Sequence, residues 1–117
     1  MRNYEDLKVW ERAHKLCLNI YKLTNQFPSD EKFGLITQLR RASSSVPTNI
    51  AEGCGYDTPK EFSRFIKIAS GSITEVSYLL KLSKDLRFIS EKDYTLTDSE
   101  ATIIRRMLYK LRMSQNQ

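Results

Sequence analysis

Histidine and cysteine are scarce in this chain and membrane-length apolar runs are missing, which narrows its chemistry. One histidine, His14, and two cysteines, Cys17 and Cys54, do not supply the spaced Cys, His and carboxylate ligands that a metal site needs. Neither a nucleophile elbow nor a glycine-rich phosphate loop is present. The two cysteines fall in helical segments and are expected to be small core thiols rather than a disulfide. No apolar run approaches the length of a membrane span, and residues 1–6 do not read as a signal peptide. The expectation is therefore a cytoplasmic protein with no membrane contact, no cofactor and no metal. Strand-like alternation, hairpin turns, internal repeats and low-complexity tracts are also missing. Acid is missing locally: no Asp or Glu follows Glu100, whereas Arg105, Arg106, Lys110 and Arg112 do.

What is present suits one globular domain over residues 1–117, large enough for one core and too short for two. Its 40% hydrophobic and 28% charged residues are ordinary for a folded chain and unlike those of a disordered one. The formal net charge of +5 is a moderate excess, compatible with an anionic partner such as nucleic acid.

Four helical segments can be read. The first spans about residues 4–26, with Asn3 as N-cap, Asp6 in the first turn and a core face of Trp10, Ala13, Cys17, Ile20, Leu16 and Leu23. Phe27-Pro28 ends it. The second is expected to begin after Ser29, with Asp30 and Glu31 at the positive end of its dipole, and to reach about Cys54. Thr58-Pro59-Lys60-Glu61 is a start signal for the third: a threonine cap, proline at the first position and glutamate three residues after the cap. That helix is read to Leu86, burying Phe62, Phe65, Ile66, Ala69, Ile73, Val76, Leu79, Leu80 and Leu86. The fourth starts at Ser90 or at Thr97 and runs to about Met113, with Ala101, Ile104, Leu108 and Leu111 as its stripe. Long helices joined by short connections must run antiparallel, so the fold class is all-α, an up-down-up-down four-helix bundle.

The second segment has a proline in its interior. Leu35, Leu39, Ala42, Val46, Ile50 and Gly53 keep helical spacing across Pro47. Pro47 removes one backbone bond and pushes on the carbonyl of Ser43, but Ser43, Ser44, Ser45 and Thr48 bring hydroxyls to the loosened turn. The helix is expected to bend there and not to stop. Asn49 and Glu52 lie near its apolar stripe. They could be a ligand or catalytic pair, or structural groups serving the loosened turn with Arg41 as an ion partner; a carboxylate at such a place is commonly paired, and the structural role is favoured. His14, beside the core stripe of the first helix, reads as a packing or hydrogen-bonding residue.

Cations recur at helical spacing. Lys8, Arg12, Lys15, Asn19 and Lys22 share one face of the first helix; Lys60, Arg64, Lys67, Gly71, Thr74, Tyr78 and Lys81 share one on the third. Arg105, Tyr109 and Arg112 form a shorter set, with Arg106 and Lys110 beside them. A solvated surface accounts for any single stripe. Same-sign runs on several helices forgo the i,i+4 ion pairs that would stabilise a plain surface, so phosphate binding stands beside that reading. Val9, Leu16, Tyr21, Leu23, Ile68, Leu82, Ile103 and Met107 broaden the apolar surface beyond one seam, which points to a wide core and to contacts between subunits.

Several stretches together carry a resemblance: Leu7-Lys8-Val9-Trp10 followed by Ala13-His14, Ile20-Tyr21 with Phe27-Pro28, the run from Gln38 through Ser43-Ser44-Ser45-Val46-Pro47 to Gly53, and Phe65 through Ala69-Ser70-Gly71-Ser72 to Glu75. Over about residues 4–111 the chain resembles the four-helix-bundle family encoded by intervening sequences inside bacterial 23S rRNA genes. It departs from that pattern after Gly53, where Cys54-Gly55-Tyr56-Asp57 replaces the aromatic and basic residues often found there. The resemblance implies a ring-like homopentamer with a positive surface, no established enzymatic activity and a role in binding RNA or DNA. A related set of proteins serves as accessory subunits to the reverse transcriptases of diversity-generating retroelements. The resemblance thus implies a non-enzymatic nucleic-acid-binding module, or alternatively a protein-interaction subunit docked on such a partner. An enzyme built on Asn49 and Glu52 is the least supported reading.

Overall fold

The computed structural model describes residues 2–115. Within them the chain forms four α-helices and no strand: α1 (Lys8–Thr24), α2 (Leu35–Cys54), α3 (Pro59–Asp85) and α4 (Glu91–Ser114). Contacts between the helices fix their directions. Between α1 and α2, Cys17 meets Ser43 and Thr24 meets Arg40; between α2 and α3, Gly53 meets Phe62 while Ser45 meets Ser72. Between α1 and α4, Arg12 meets Glu100 and Asn19 meets Thr97. In each pair, moving forward along one helix means moving backward along its partner, so sequential helices are antiparallel and α4 returns beside α1. The Phe27 and Phe88 rings, 5.4 Å apart, join the first and third connections at one end. At the other end Arg2 donates to Gln115 and lies over the Phe62 ring. Ile20, Leu39, Ile50, Phe62, Ile66, Ile73, Leu80, Ile104 and Leu108 fill the centre.

Local chemistry sets the helix ends, not always where the pattern placed them. Asn3 caps a separate 3-10 turn, Tyr4–Asp6, by accepting the Glu5 N–H at 3.1 Å. Leu7 is extended, so α1 starts at Lys8 and not at Tyr4. Ser29–Glu31 is likewise a 3-10 turn, and Gly34 breaks the path (φ −115°, ψ −108°) before α2 begins at Leu35. The Glu31 carboxylate still serves α2, accepting the Leu35 N–H at 3.2 Å. Thr58 caps α3 as its capping box requires, accepting the Glu61 N–H at 3.2 Å. Ser90, not Thr97, caps α4; Thr97 is buried inside the helix.

Helix α2 continues through Pro47, which is buried. The nearby hydroxyls do not turn to Ser43: Ser43 and Ser44 donate to the carbonyls of Arg40 and Arg41, and Ser45 bonds Ser72 of α3 at 2.9 Å. Val9 and Leu16, two of the residues that broaden the apolar surface, belong to the core, while Leu18 and Leu96 are exposed. Cys17 and Cys54 are buried free thiols, and burial pushes the Cys54 thiol above its ordinary range.

Leu86 is not core but 48% exposed. Arg87 sits in the left-handed region (φ 65°), reversing the chain so that Phe88 and Ile89 pack inward in its place. The Phe88 N–H reaches the Ser83 carbonyl and the Arg87 N–H that of Lys84, both bonds of a Schellman ending. Arg87 bears a left-handed strain of about 1–2 kcal/mol that glycine would not. Arg87→Gly is expected to raise stability by about 1 kcal/mol in chemical denaturation; no change or a loss would mean that the Arg87 side chain makes a compensating contact.

Candidate nucleic-acid interface

The three basic stripes have different fates. On α1, Arg12 makes two hydrogen bonds to the Glu100 carboxylate, at 2.8 and 3.3 Å, and Lys15 lies 2.9 Å from Glu11. The hydrogen bond from Lys15 holds the Glu11 carboxyl below its ordinary range, and that to Glu100 holds Arg12 yet more firmly charged. Lys8 and Lys22 remain at opposite ends of the helix, about 21 Å apart at 1.5 Å per residue. The α1 face is thus an ion-paired surface, not a uniform positive one. Its groove against α4, about 410 Å³, mixes Arg12 and Lys15 with Leu16, Leu96 and Glu100.

The other two stripes merge. Because α4 runs antiparallel to α3, its acid-free C-terminal half lies beside the N-terminal half of α3. Lys60, Arg64 and Lys67 then line one groove with Arg112, a hollow of about 280 Å³ floored by Ser63. Glu61, 3.5 Å from Arg64, is one acid against the four cations that line this hollow, so a positive excess remains. Lys60 and Ser63 also border a second hollow with Thr58, Pro59 and Gln115. On the outward side of α4, Arg105, Arg106 and Lys110 surround Tyr109 in a cleft of about 430 Å³. Tyr109 is 56% exposed, and the Arg112 guanidinium carbon lies 6.0 Å from its ring centre. Ser63 Oγ and Arg112 Nε are buried and have no hydrogen-bond partner among the described residues. Both side chains line the α3–α4 hollow.

The remaining candidates are placed elsewhere. Asn49 is half-buried and donates to the Ser45 carbonyl at 2.8 Å and to its hydroxyl at 3.0 Å, continuing to Ser72 of α3. This small polar chain couples α2 to α3 one turn around Pro47. Glu52 is exposed, and Arg41 is no partner for it: eleven residues of one helix separate them, about 16 Å. Arg41 borders a shallow hollow with Ser45, Ser72 and Glu75. His14 is exposed and stacks on Trp10, with ring centres 5.0 Å apart. Among the described residues no group of three or more His, Cys, Asp and Glu is placed to hold a metal, and no helix is long and apolar enough to cross a membrane.

These features define an all-α four-helix bundle whose cations collect on one pair of helices. The chain belongs to the 23S rRNA-intervening sequence protein family, whose model matches residues 5–110. A crystal structure of a protein of unknown function from the S23 ribosomal protein family of Bacteroides thetaiotaomicron VPI-5482 is similar in fold. Its TM-score is 0.80 at 21% identity, over 89% of this chain and 97% of that one. No curated protein matches the chain significantly.

Proposed function

We propose that the protein is a non-enzymatic, cytoplasmic nucleic-acid-binding bundle that contacts phosphates through the joined faces of α3 and α4. One observation carries this reading: antiparallel packing gathers Lys60, Arg64, Lys67 and Arg112 around unpartnered donors, with Arg105, Arg106 and Lys110 alongside. Side chains that donate and carry positive charge suit phosphate oxygens. No base-reading helix or sheet motif is recognisable, so binding is sequence-tolerant and falls steeply as salt rises. The test is binding of structured RNA and duplex DNA by the intact protein over a salt series. Absence of binding to both at low salt overturns the reading.

A second reading concerns assembly. Leu18, Tyr21, Ile68, Tyr78, Leu96 and Ile103 are exposed on the flanks of α1, α3 and α4, more apolar surface than a monomer needs. We propose that this surface joins copies into a homo-oligomer, with five the number that the family resemblance implies. A partner protein such as a reverse transcriptase is the alternative occupant. Light scattering at micromolar concentration and moderate salt is expected to give a mass several times 13.7 kDa. A monomer under those conditions would favour the partner-protein role.

A further inference from the structure

Resting on the nucleic-acid reading, a finer assignment follows from what lies beside the cations. A duplex hides the faces of its bases, whereas an unpaired strand exposes them and can stack them on aromatic side chains. Tyr109 is the aromatic residue within the α4 cationic cleft, its ring more than half exposed and bordered by Arg105, Arg106 and Lys110. Arg112 links that ring to the α3 groove: its guanidinium approaches Tyr109 on one side, and the same side chain lines the hollow over Ser63 on the other. A stacking surface and a cationic hollow thus share one arginine. The hollow beyond Lys60 extends the groove towards Thr58 and Gln115, giving room for a following phosphate.

We propose that the α3–α4 face selects single strands: an unpaired base stacks on Tyr109 while the adjoining backbone phosphate sits in the hollow lined by Lys60, Arg64, Lys67 and Arg112. RNA and DNA strands share this chemistry, since neither contact uses the 2′-hydroxyl. Nothing in the assignment depends on how many copies assemble, although a ring would repeat the site along one strand.

Fluorescence anisotropy of the full chain with labelled oligo-U and oligo-dT, each beside its own duplex at matched salt, tests the assignment. Tighter binding of either strand than of its duplex supports it, and the stronger of the two identifies the preferred sugar. Tyr109→Ala is expected to weaken strand binding about tenfold, the loss of one stacked base, and duplex binding less than twofold. Tyr109→Phe keeps the ring and is expected to retain strand affinity. Arg112→Gln is expected to weaken strand binding and flatten its salt dependence by about 0.7 in log–log slope, one phosphate's share. Equal affinity for strand and duplex, or a Tyr109→Ala variant that loses both alike, overturns single-strand selection and leaves phosphate binding standing. Failure of the parent protein to bind any of the four probes removes both. Each variant is first checked for helicity and mass.

Discussion

Reversing Arg105 and Arg106 to glutamate is expected to lower nucleic-acid affinity about a hundredfold, whereas the same reversal at Arg12 and Lys15 costs less than fivefold. The two pairs look alike in the sequence but differ in their company. Arg105 and Arg106 stand on an exposed stretch of α4 with no acid after Glu100, beside Tyr109 and Lys110. Arg12 and Lys15 are already held by Glu100 and Glu11. Each of those carboxylates offsets the local positive charge and repels an approaching phosphate, so these cations offer little at the start and lose little when changed. On α4, two lost phosphate contacts and the repulsion that replaces them amount to about 3 kcal/mol, or roughly a hundredfold. The salt dependence should flatten too, by about 1.8 in log–log slope on duplex DNA and about 1.4 on a single strand for two phosphates. Affinities over a salt series, with helicity and mass checked for each variant, make the comparison. Equal losses from the two variants would return the α1 stripe to the interface; two variants that bind like the parent would leave both stripes as solvated surface.

The contrast shows how far the sequence reaches. Element types were legible because α1, α2, α3 and α4 keep helical spacing over many turns, and Thr58-Pro59-Lys60-Glu61 announces α3 chemically. The passage of α2 through Pro47 was legible for the same reason, since the apolar stripe does not change phase there. Ends were harder. Asp30 and Glu31 look like a first helical turn, yet Gly34 intervenes and the glutamate caps the helix from outside. Leu86 fits the stripe of α3, but the reversal that exposes it depends on Arg87 adopting a backbone state usually announced by glycine. For the site, the cations of α3 and α4 were each visible and their union was not, because it needs the antiparallel register of two helices. Nor was the quenching of the α1 stripe visible in full: Glu11 is one turn from Lys15, but Glu100 reaches Arg12 across 88 positions. Ser63 gave no signal at all, being one more serine on the polar flank of an amphipathic helix.

Stability is expected to respond in opposite senses at two glycines that both sit inside helices. Gly53 lies near the end of α2, where α3 starts beneath it. A β-carbon there would stand 3.0 Å from Phe65 Cβ and 3.4 Å from both Phe62 Cδ1 and the Phe62 carbonyl oxygen. None of these atoms is the free end of a flexible chain: Phe65 Cβ moves only with its backbone, and Phe62 is fully buried beneath Arg2. The two helices would have to separate where they now touch. Gly71 is in the middle of α3, exposed, with nothing within 4 Å of its β-position. There alanine only removes the conformational cost of glycine in a helix, so Gly71→Ala is expected to stabilise by about 0.5–1 kcal/mol. Gly53→Val adds three carbons where α2 and α3 are already in close contact. Overpacking of this kind costs typically 1–3 kcal/mol, and the small gain in helix propensity does not offset it. The expected net loss is about 1–2.5 kcal/mol, a fall in melting temperature of roughly 5–10 °C for a domain of this size. Gly53→Ala should fall between, its propensity gain partly cancelling a milder clash. Thermal and denaturant unfolding at one fixed protein concentration would read these changes, since any oligomer makes stability concentration-dependent. If Gly53→Val proved as stable as the parent, the approach of α2 to α3 would be slack, and Gly53 would owe its place to something other than packing.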